Sequence, residues 1–340
     1  MNEQETRRVR NNLMEGMGRS FQRLLDQKSR SGERLAFSKN GKVIRVQAAE
    51  LRKKMFSLII LLSVSGALTA QEYIHPKAPS VPEYVVFADQ RVKLDNDDRY
   101  ERMDRELMAF TYMHTTSNLM LKRSKRYFTQ VVPILLKNGL PEDLKYIMVI
   151  ESNLDPKAVS VTGASGLWQF TKATAQHYGL EVSADVDERF NLEKATEAAC
   201  KYLKEAYRKY GDWMTVAASY NAGQAAITKR LTDQKEKYAM DLLLPDETSR
   251  YMFRVLAAKL FMEHPERFGF EISEKEYYPL REPVEEVVVT DSILSLVDFA
   301  KAHGVSYYAL KTANPWLKSD KLTNANGKAY RIIIPSSKGR

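Results

Sequence analysis

The chain has 340 residues and 44% hydrophobic content, which is enough for about two globular domains. Its formal net charge is +9, but this charge is unevenly distributed. Residues 1–70 contain 14 basic and 6 acidic residues, whereas residues 71–340 contain 38 basic and 37 acidic residues. The body of the protein is therefore close to neutral and lacks the basic patterning that nucleic-acid binding requires. We expect no nucleic-acid partner.

A single cysteine, Cys200, excludes an internal disulfide and a cysteine-based metal site. Cys200 follows two alanines in a helical pattern, which is typical of a buried small side chain. The five histidines lie far apart and lack the spacing of metal ligands; they are His75, His114, His177, His264 and His303. The sequence therefore predicts no metal and no redox cofactor.

Residues 51–70 have the three parts of a signal peptide. Basic residues at 52–54 precede an apolar run, Met55 to Val64, and small residues follow as far as Ala70. An apolar run of about 16 residues is short for a membrane span, which needs about 20. We therefore expect export, with cleavage after Ala67 or Ala70.

Residues 1–50 form a charged extension in front of this signal. Within it, residues 35–46 surround Asn40-Gly41, a pair typical of a β-hairpin turn. A signal peptide that starts fifty residues into a chain is unusual, so we expect translation to begin near Leu51 or Met55. If the extension belongs to the protein, an N-terminal membrane anchor is the alternative, and membrane association stays open.

Residues 71–98 carry prolines without a clear period and are predicted to be irregular. From 99 to 268 apolar residues recur at helical spacing without a strand pattern, so this part is predicted to be an all-helical domain. In the first helix, the predicted inward-facing residues are Met103, Leu107, Phe110, Met113 and Leu119. A second helix includes Tyr127 to Leu135, and later ones cover 171–178, a segment capped by Asn191, a segment from Trp213 to a Gly223 cap, and 247–262.

The C-terminal part has a different sequence pattern, in which strands as well as helices are predicted. Residues 269–284 are predicted to be a linker, and residues 285–336 a small separate module. The module reads as strand 286–290, helix 295–303, helix 306–313 and strand 330–335. This order predicts a βααβ unit.

A carboxylate, Glu151, lies on the apolar face of a short predicted helix. Leu144, Ile147, Met148 and Glu151 are spaced i, i+3, i+4 and i+7, and so share one face. Removal from water raises the pKa of a carboxyl, which is what a general acid needs near neutral pH. The alternative is a glutamate at a helix end that turns to solvent or pairs with a base.

Residues that suit a sugar ligand follow Glu151 in the sequence. Gly163 and Gly166 permit a tight loop with close backbone approach to a ligand, Trp168 offers a flat apolar face and Gln169 a donor and an acceptor. Tyr220 and Asn221 end a separate helix and could point into the same cleft. Each residue alone is more often structural than functional.

Together, Glu151-Ser152, Gly163-Ala-Ser-Gly-Leu-Trp-Gln169 and Ala218-Ser-Tyr-Asn-Ala-Gly223 closely resemble the soluble-lytic-transglycosylase-like domain. Within that family the chain looks most like the membrane-bound murein transglycosylase D type, and the likeness covers about 125–265. Residues 285–336 resemble a LysM peptidoglycan-binding module. The Gly-Asp-Thr-Leu that this module usually carries is replaced here by Thr290-Asp-Ser-Ile293, which puts glycan binding by the module in doubt.

The resemblance implies a mainly α, lysozyme-like catalytic domain followed by a LysM-like module. It implies cleavage of the β-1,4 bond between N-acetylmuramic acid and N-acetylglucosamine without water, with Glu151 as acid and then base and a 1,6-anhydro product. Ser152 and Tyr220 would orient Glu151. The residues implied to bind the substrate are Ser152, Gly166, Trp168, Gln169, Tyr220, Asn221 and Tyr251.

Two other functions remain open at this point. A hydrolytic muramidase on the same fold would use water in place of the sugar hydroxyl, and Asp155 and Asp187 are candidates for its second carboxylate. A non-catalytic peptidoglycan-binding protein would keep only the binding surfaces. In each case the expected partner is the peptidoglycan glycan strand, and a monomer is expected.

Overall fold

The computed structural model describes residues 21, 23–39, 42–53, 77–280 and 283–336. The chain divides into two compact units, Met1–His75 and Pro76–Arg340. In the first unit, strands β1 (Arg34–Lys39) and β2 (Lys42–Gln47) form an antiparallel hairpin, which confirms the predicted strands. Asn40-Gly41 and most of the predicted signal peptide, residues 54–70, lie outside the described residues.

A second hairpin opens the described part of the larger unit. Strands β3 (Tyr84–Phe87) and β4 (Gln90–Lys93) pair antiparallel through Ala88 and Asp89, which both have positive φ. The prediction that residues 71–98 are irregular is therefore wrong for this segment. Strands of four residues show little alternation, and Ala-Asp is a poor signal for a turn that requires positive φ twice.

Helices make up most of the domain that follows, as predicted. They are α1 (Asp97–Tyr112), α2 (His114–Lys137), α3 (Lys145–Ser152), α4 (Lys172–His177), α5 (Leu192–Tyr210), α6 (Trp213–Ala222), α7 (Gln224–Gln234) and α8 (Asp246–Glu263). Asn191 caps α5 through its side chain, and Gly223 follows α6 with φ +87°. Both predicted caps are confirmed.

The structure differs from the helix prediction in two details. The first helix ends at Met113, where the chain breaks between α1 and α2, so Met113 is 53% exposed rather than buried. The sequence also gave no prediction for α7, which has only Ile227 buried and therefore shows a weak apolar period. A single residue separates the helices in each case, Met113 between α1 and α2 and Gly223 between α6 and α7. The period of apolar residues alone locates such short boundaries poorly.

Helix α3 runs through the middle of the helical domain. Residues Tyr146 to Ile150 are all buried, so the helix is surrounded by protein rather than lying on a surface. It packs against α2 and α8, and α8 also packs against α1 and α6. Glu151 and Ser152 therefore stand at the end of a helix whose preceding residues are enclosed by protein.

The C-terminal module has the predicted βααβ order. Strand β5 (Pro283–Val289) pairs antiparallel with β6 (Tyr330–Pro335), and helices α9 (Leu296–Ala302) and α10 (Tyr307–Ala313) lie between them in sequence. Its core is separate from that of the helical domain and includes Leu296, Leu310, Trp316, Leu322 and Ile332. No helix within the described ranges is both long and apolar enough to span a membrane.

Candidate active site

Glu151 stands at the point where α3 stops. The helix ends because Asn153 and Leu154 both adopt positive φ, 50° and 55°, and asparagine tolerates this conformation well. Ser152 is buried, and its hydroxyl donates to the carbonyl of Met148 in the same helix at 3.1 Å. The prediction that Ser152 orients Glu151 by a hydrogen bond is therefore corrected, because its one donor is used within α3.

The partner of Glu151 is Tyr251 on α8. The Tyr251 hydroxyl donates to Glu151 Oε1 at 2.6 Å, and Tyr251 is itself 3% exposed. The sequence had implied that Tyr251 holds the sugar, whereas the structure brings it to the carboxylate. Among the described residues, no lysine, arginine or histidine forms an ion pair with Glu151. The alternative in which Glu151 is a helix-end glutamate paired with a base is therefore wrong for the described residues.

Burial raises the pKa of Glu151 to about 7. The hydrogen bond from Tyr251 and the charge of Arg254 lower the pKa, and the charge of Glu247 raises it, but loss of water outweighs the first two. A pKa near 7 lets one carboxyl exist in both protonation states at neutral pH. Glu151 can therefore both donate and accept a proton, as a group acting first as acid and then as base must.

One face of α8 supplies three of the groups that act on Glu151. Glu247, Tyr251 and Arg254 are spaced i, i+4 and i+7, so they project toward the same side. The sequence pointed to Tyr251 but missed Glu247 and Arg254. Their helical spacing from Tyr251 is the signal that could have found them.

The loop from Gly163 to Phe170 has the tight geometry that the glycines predicted. Gly166 has φ +78°, and a Cβ there would lie 2.0 Å from the carbonyl oxygen of Arg189, so only glycine fits. Gln169 has φ +49°, and its side-chain amide donates to the carbonyls of Gly166 at 2.7 Å and Ala158 at 3.1 Å. The Gln169 N–H groups thus stabilise the loop itself, and a contact of Gln169 with sugar stays a prediction.

Trp168 is a core residue, which corrects its predicted role as a wall for the sugar. Its side chain is fully buried, and its indole N–H donates to the Thr196 hydroxyl on α5 at 3.0 Å. Its carbonyl accepts a 2.7 Å hydrogen bond from the Tyr220 hydroxyl. Trp168 therefore anchors the loop to the helices beneath it.

Tyr220 faces Glu151 without donating to it. Because its hydroxyl is used by the Trp168 carbonyl, the predicted hydrogen bond from Tyr220 to Glu151 is corrected. Burial raises the pKa of Tyr220 well above its ordinary value, and the nearby charge of Glu151 adds to the effect. Asn221 follows at the end of α6, is partly exposed, and forms no side-chain hydrogen bond with another described residue.

The two candidates for a second carboxylate have other partners. Asp187 is buried and holds Arg189 by two hydrogen bonds, 2.9 Å to Nε and 2.8 Å to Nη2. Asp155 accepts from the backbone N–H of Lys157 at 3.0 Å and lies 3.9 Å from Arg123. The geometry therefore assigns neither carboxylate to the chemistry at Glu151.

A family model matches the part of the chain that contains most of these residues. Residues 135–242 match the family model described as "Transglycosylase SLT domain", which spans Glu151, the Gly163–Phe170 loop and α6. The chain carries an SLT transglycosylase domain. Residues 285–338 match the "Soluble lytic transglycosylase C-terminal LysM-like domain", so the SLT domain is followed by a LysM-like module.

Two curated proteins illustrate the relationship. The chain is 27% identical over 252 residues to membrane-bound lytic murein transglycosylase D of Escherichia coli K12, covering 71% of this chain and 52% of that protein. It is 41% identical over 93 residues to peptidoglycan transglycosylase gp16 of Escherichia phage T7, covering 26% and 7%. The SLT-domain chain thus spans about half the length of the E. coli relative.

Two solved structures also resemble the SLT-domain chain. The 70 kDa soluble lytic transglycosylase Slt70 of E. coli matches with a TM-score of 0.37 and 18% identity, covering 52% of this chain and 33% of that one. Lytic transglycosylase Slt of Pseudomonas aeruginosa matches with a TM-score of 0.35 and 21% identity, covering 45% and 26%. Both likenesses are distant.

Proposed function

We propose that this protein is a peptidoglycan lytic transglycosylase in which Glu151 is the single catalytic carboxyl. It would cleave the β-1,4 bond between N-acetylmuramic acid and N-acetylglucosamine and leave a 1,6-anhydromuramoyl end. The observation that carries the proposal is the state of Glu151: a carboxyl with a pKa near 7, bonded to Tyr251 and lacking a basic partner among the described residues.

The proposed reaction uses one carboxyl twice, first as an acid and then as a base. Protonated Glu151 gives its proton to the glycosidic oxygen, the bond from that oxygen to C1 of the muramoyl sugar breaks, and N-acetylglucosamine leaves with a free 4-hydroxyl. The Glu151 carboxylate then takes the proton of the muramoyl C6 hydroxyl as its oxygen bonds to C1. Glu151 ends protonated, and no water is consumed.

Surrounding residues support the two steps in different ways. Tyr251 would orient Glu151 through its 2.6 Å hydrogen bond and stabilise the carboxylate after the first proton transfer. Asn221 and Gln169 would contact the N-acetyl groups, and Gly166 would allow the sugar to approach the loop backbone. Trp168 and Tyr220 would hold that loop in place, because they bond to each other.

We further propose that the protein is exported, acts as a monomer in the periplasm or cell envelope, and binds peptidoglycan strands. Export is supported by the basic, apolar and small-residue order of residues 51–70. The E. coli relative is described as membrane-bound, and the apolar run of the signal would give the same attachment here if it is not cleaved.

The test is the chemistry of the product. Purified sacculi are incubated with the full-length protein or with Glu151→Gln, and released muropeptides are analysed by mass spectrometry. We expect anhydro products that are lighter than the reducing ones by about 18 Da, the mass of the water that hydrolysis would add. We expect no release by Glu151→Gln, which keeps the shape of the side chain but cannot donate the proton.

Other products would overturn the proposal in distinct ways. Reducing ends would indicate a hydrolytic muramidase. Equal release by both proteins would remove Glu151 from the chemistry. Sedimentation of both with sacculi and release by neither would indicate a peptidoglycan-binding protein.

A further inference from the structure

The LysM-like module is joined to the SLT domain by backbone pairing. Val186 and Leu317 form an antiparallel bridge, in which the Asp187 N–H donates to the Trp316 carbonyl and the Lys318 N–H to the Asp185 carbonyl, both at 2.8 Å. The Val186 side chain is 1% exposed and belongs to the core of the module rather than to that of the helical domain. Residue 186 of the SLT domain thus completes the module.

Two acidic side chains that precede Val186 in the sequence add polar contacts to the module. Asp185 accepts from the Ser319 hydroxyl at 2.8 Å and from the Thr323 N–H at 3.0 Å. Glu181 accepts from the Lys328 ammonium at 2.6 Å and from the Tyr330 hydroxyl at 2.9 Å. A module on a free tether requires none of these contacts.

The same segment bonds to the loop beside Glu151. Arg189, held by Asp187, donates through Nη1 to the carbonyls of Gly163 at 2.8 Å and Phe170 at 3.1 Å, which are the two ends of the loop. Its own carbonyl faces Gly166 in the middle of the loop. Residues 181–190 therefore contact the module on one side and the Gly163–Phe170 loop on the other.

We propose that the LysM-like module is an intramolecular clamp: by docking on residues 181–190 it fixes Arg189, and through Arg189 it positions the Gly163–Phe170 loop for the substrate. Asp185 and Lys328 are positioning residues in this scheme. The effect on catalysis rests on the proposed transglycosylase function, whereas the effect on the order of the loop does not.

The local structure of the segment explains why it would need the module. Between α4 and α5 the chain has isolated bridges and a short 3-10 turn, Glu188–Phe190, in place of a helix or a ladder. Without the module, Val186 would expose an apolar side chain, Asp185 would lose its partners Ser319 and Thr323, and Glu181 would keep only the Ser183 hydroxyl. Segments with few secondary-structure bonds of their own open readily, so Arg189 would then be less well fixed.

The experiment compares interface variants with matched variants of the module in the full-length protein. Asp185→Ala removes two hydrogen bonds to the module, and Lys328→Glu reverses the charge between Glu181 and Glu188. The controls are Asp298→Ala and Lys301→Glu on α9, which are exposed residues of the same types outside the interface.

Two measurements distinguish the effect of the docked module on the order of the loop from its effect on catalysis. The first is amide hydrogen exchange, which we expect to rise in residues 163–170 and 181–190 of both interface variants, and to stay unchanged in α3 and in both controls. The second is turnover of soluble glycan strands, where we expect kcat to fall about tenfold with little change in KM, since a small misplacement of an active-site group has effects of this order.

Each outcome decides the matter. Unchanged exchange in residues 163–170 would overturn the clamp even if the wild-type protein proved inactive in the assay. Faster exchange with an unchanged kcat would show that the docked module orders the Gly163–Phe170 loop but does not position it for catalysis, which would overturn the catalytic part of the proposal. A loss confined to insoluble sacculi, with normal exchange and normal turnover of soluble strands, would assign the module to substrate capture instead.

Discussion

Glu151 and Glu188 belong to the same helical domain, and both are largely removed from water, yet their pKa values move in opposite directions. Burial raises the pKa of Glu151 to about 7, because the hydrogen bond from the neutral Tyr251 phenol lowers the pKa too little to offset the loss of water and no cation pairs with Glu151 among the described residues. Burial would also raise the pKa of Glu188, but the Glu181 N–H and the ammonium groups of Lys194 and Lys328 outweigh it and lower the pKa.

The difference separates a carboxyl that can react from one that only holds structure. A carboxylate bonded to two ammonium groups and a backbone N–H stays charged and cannot act as an acid near neutral pH. Glu188 has one of its contacts, Lys328, in the LysM-like module. Glu151 can keep a proton near neutral pH because no ammonium or guanidinium group bonds to it among the described residues.

The largest expected effect is on turnover. Glu151→Gln should lower kcat by at least about 1000-fold, equivalent to about 4 kcal/mol of transition-state stabilisation, because the only proposed proton donor and acceptor is lost. The control is Glu101→Gln, an exposed glutamate on α1 that should retain nearly full activity. A comparable loss in both variants, measured on soluble glycan strands, would contradict the distinction between Glu151 and the other glutamates.

The same substitution should stabilise the folded protein at high pH. A glutamate whose folded pKa is raised binds more protons folded than unfolded between about pH 4.5 and 7, so stability falls as pH rises through that window. Above pH 7 the buried charge costs at most about 3 kcal/mol, which Glu151→Gln would recover. Urea unfolding at pH 5 and pH 8 tests this. A variant whose advantage does not grow with pH would mean that Glu151 is not desolvated.

Glu188→Gln should have the opposite effect on stability. The folded pKa of Glu188 is lowered, so its contribution is present above the ordinary glutamate pKa and is lost as pH falls through the folded value. We expect a loss of about 1–2 kcal/mol at neutral pH, since Lys194 and Lys328 lose a charged acceptor. Urea unfolding should show this difference shrinking toward acid pH, and a difference that grows instead would exclude the paired state.

Sequence periodicity predicted the fold well where elements are long and bounded by strong signals. The βααβ module, the Asn191 cap and the Gly223 stop follow from short-range chemistry, and the structure has all three. The hairpin at 84–93 was missed because its strands have four residues each and its Ala-Asp turn is atypical, whereas the helix α7 was missed because only Ile227 is buried in it. Periodicity reports burial, and segments that bury little leave little signal.

The site was predicted in its residues but not in its contacts. Glu151 and Tyr251 are separated by 100 residues, and the family resemblance assigned both to the site without showing that they bond to each other. Trp168 was misassigned because an indole in a glycine-rich loop looks the same in sequence whether it faces a ligand or Thr196. Which way a side chain points from a loop depends on the tertiary packing beneath it.

The smallest expected effect concerns the hydrogen bond from the Tyr251 phenol to Glu151. Glu188 has no phenol partner among the described residues. Tyr251→Phe removes the donor to Glu151 Oε1, a contact that lowers the Glu151 pKa, so that pKa should rise by about one unit. Since the reaction begins with protonated Glu151, the basic limb of the pH profile of kcat/KM should move to higher pH. The rate at the optimum should fall about threefold to tenfold as the carboxyl loses its orienting contact.

The matched control is Tyr210→Phe on α5, whose hydroxyl bonds to the Gln224 carbonyl and the Thr228 hydroxyl rather than to Glu151. It should leave the pH profile in place. A shift of the Tyr251→Phe profile to lower pH would mean that Tyr251 stabilises the protonated form of Glu151 instead. Glu151 would then owe its raised pKa to this phenol as well as to burial, and the contrast with Glu188 would rest on hydrogen bonding as much as on charge.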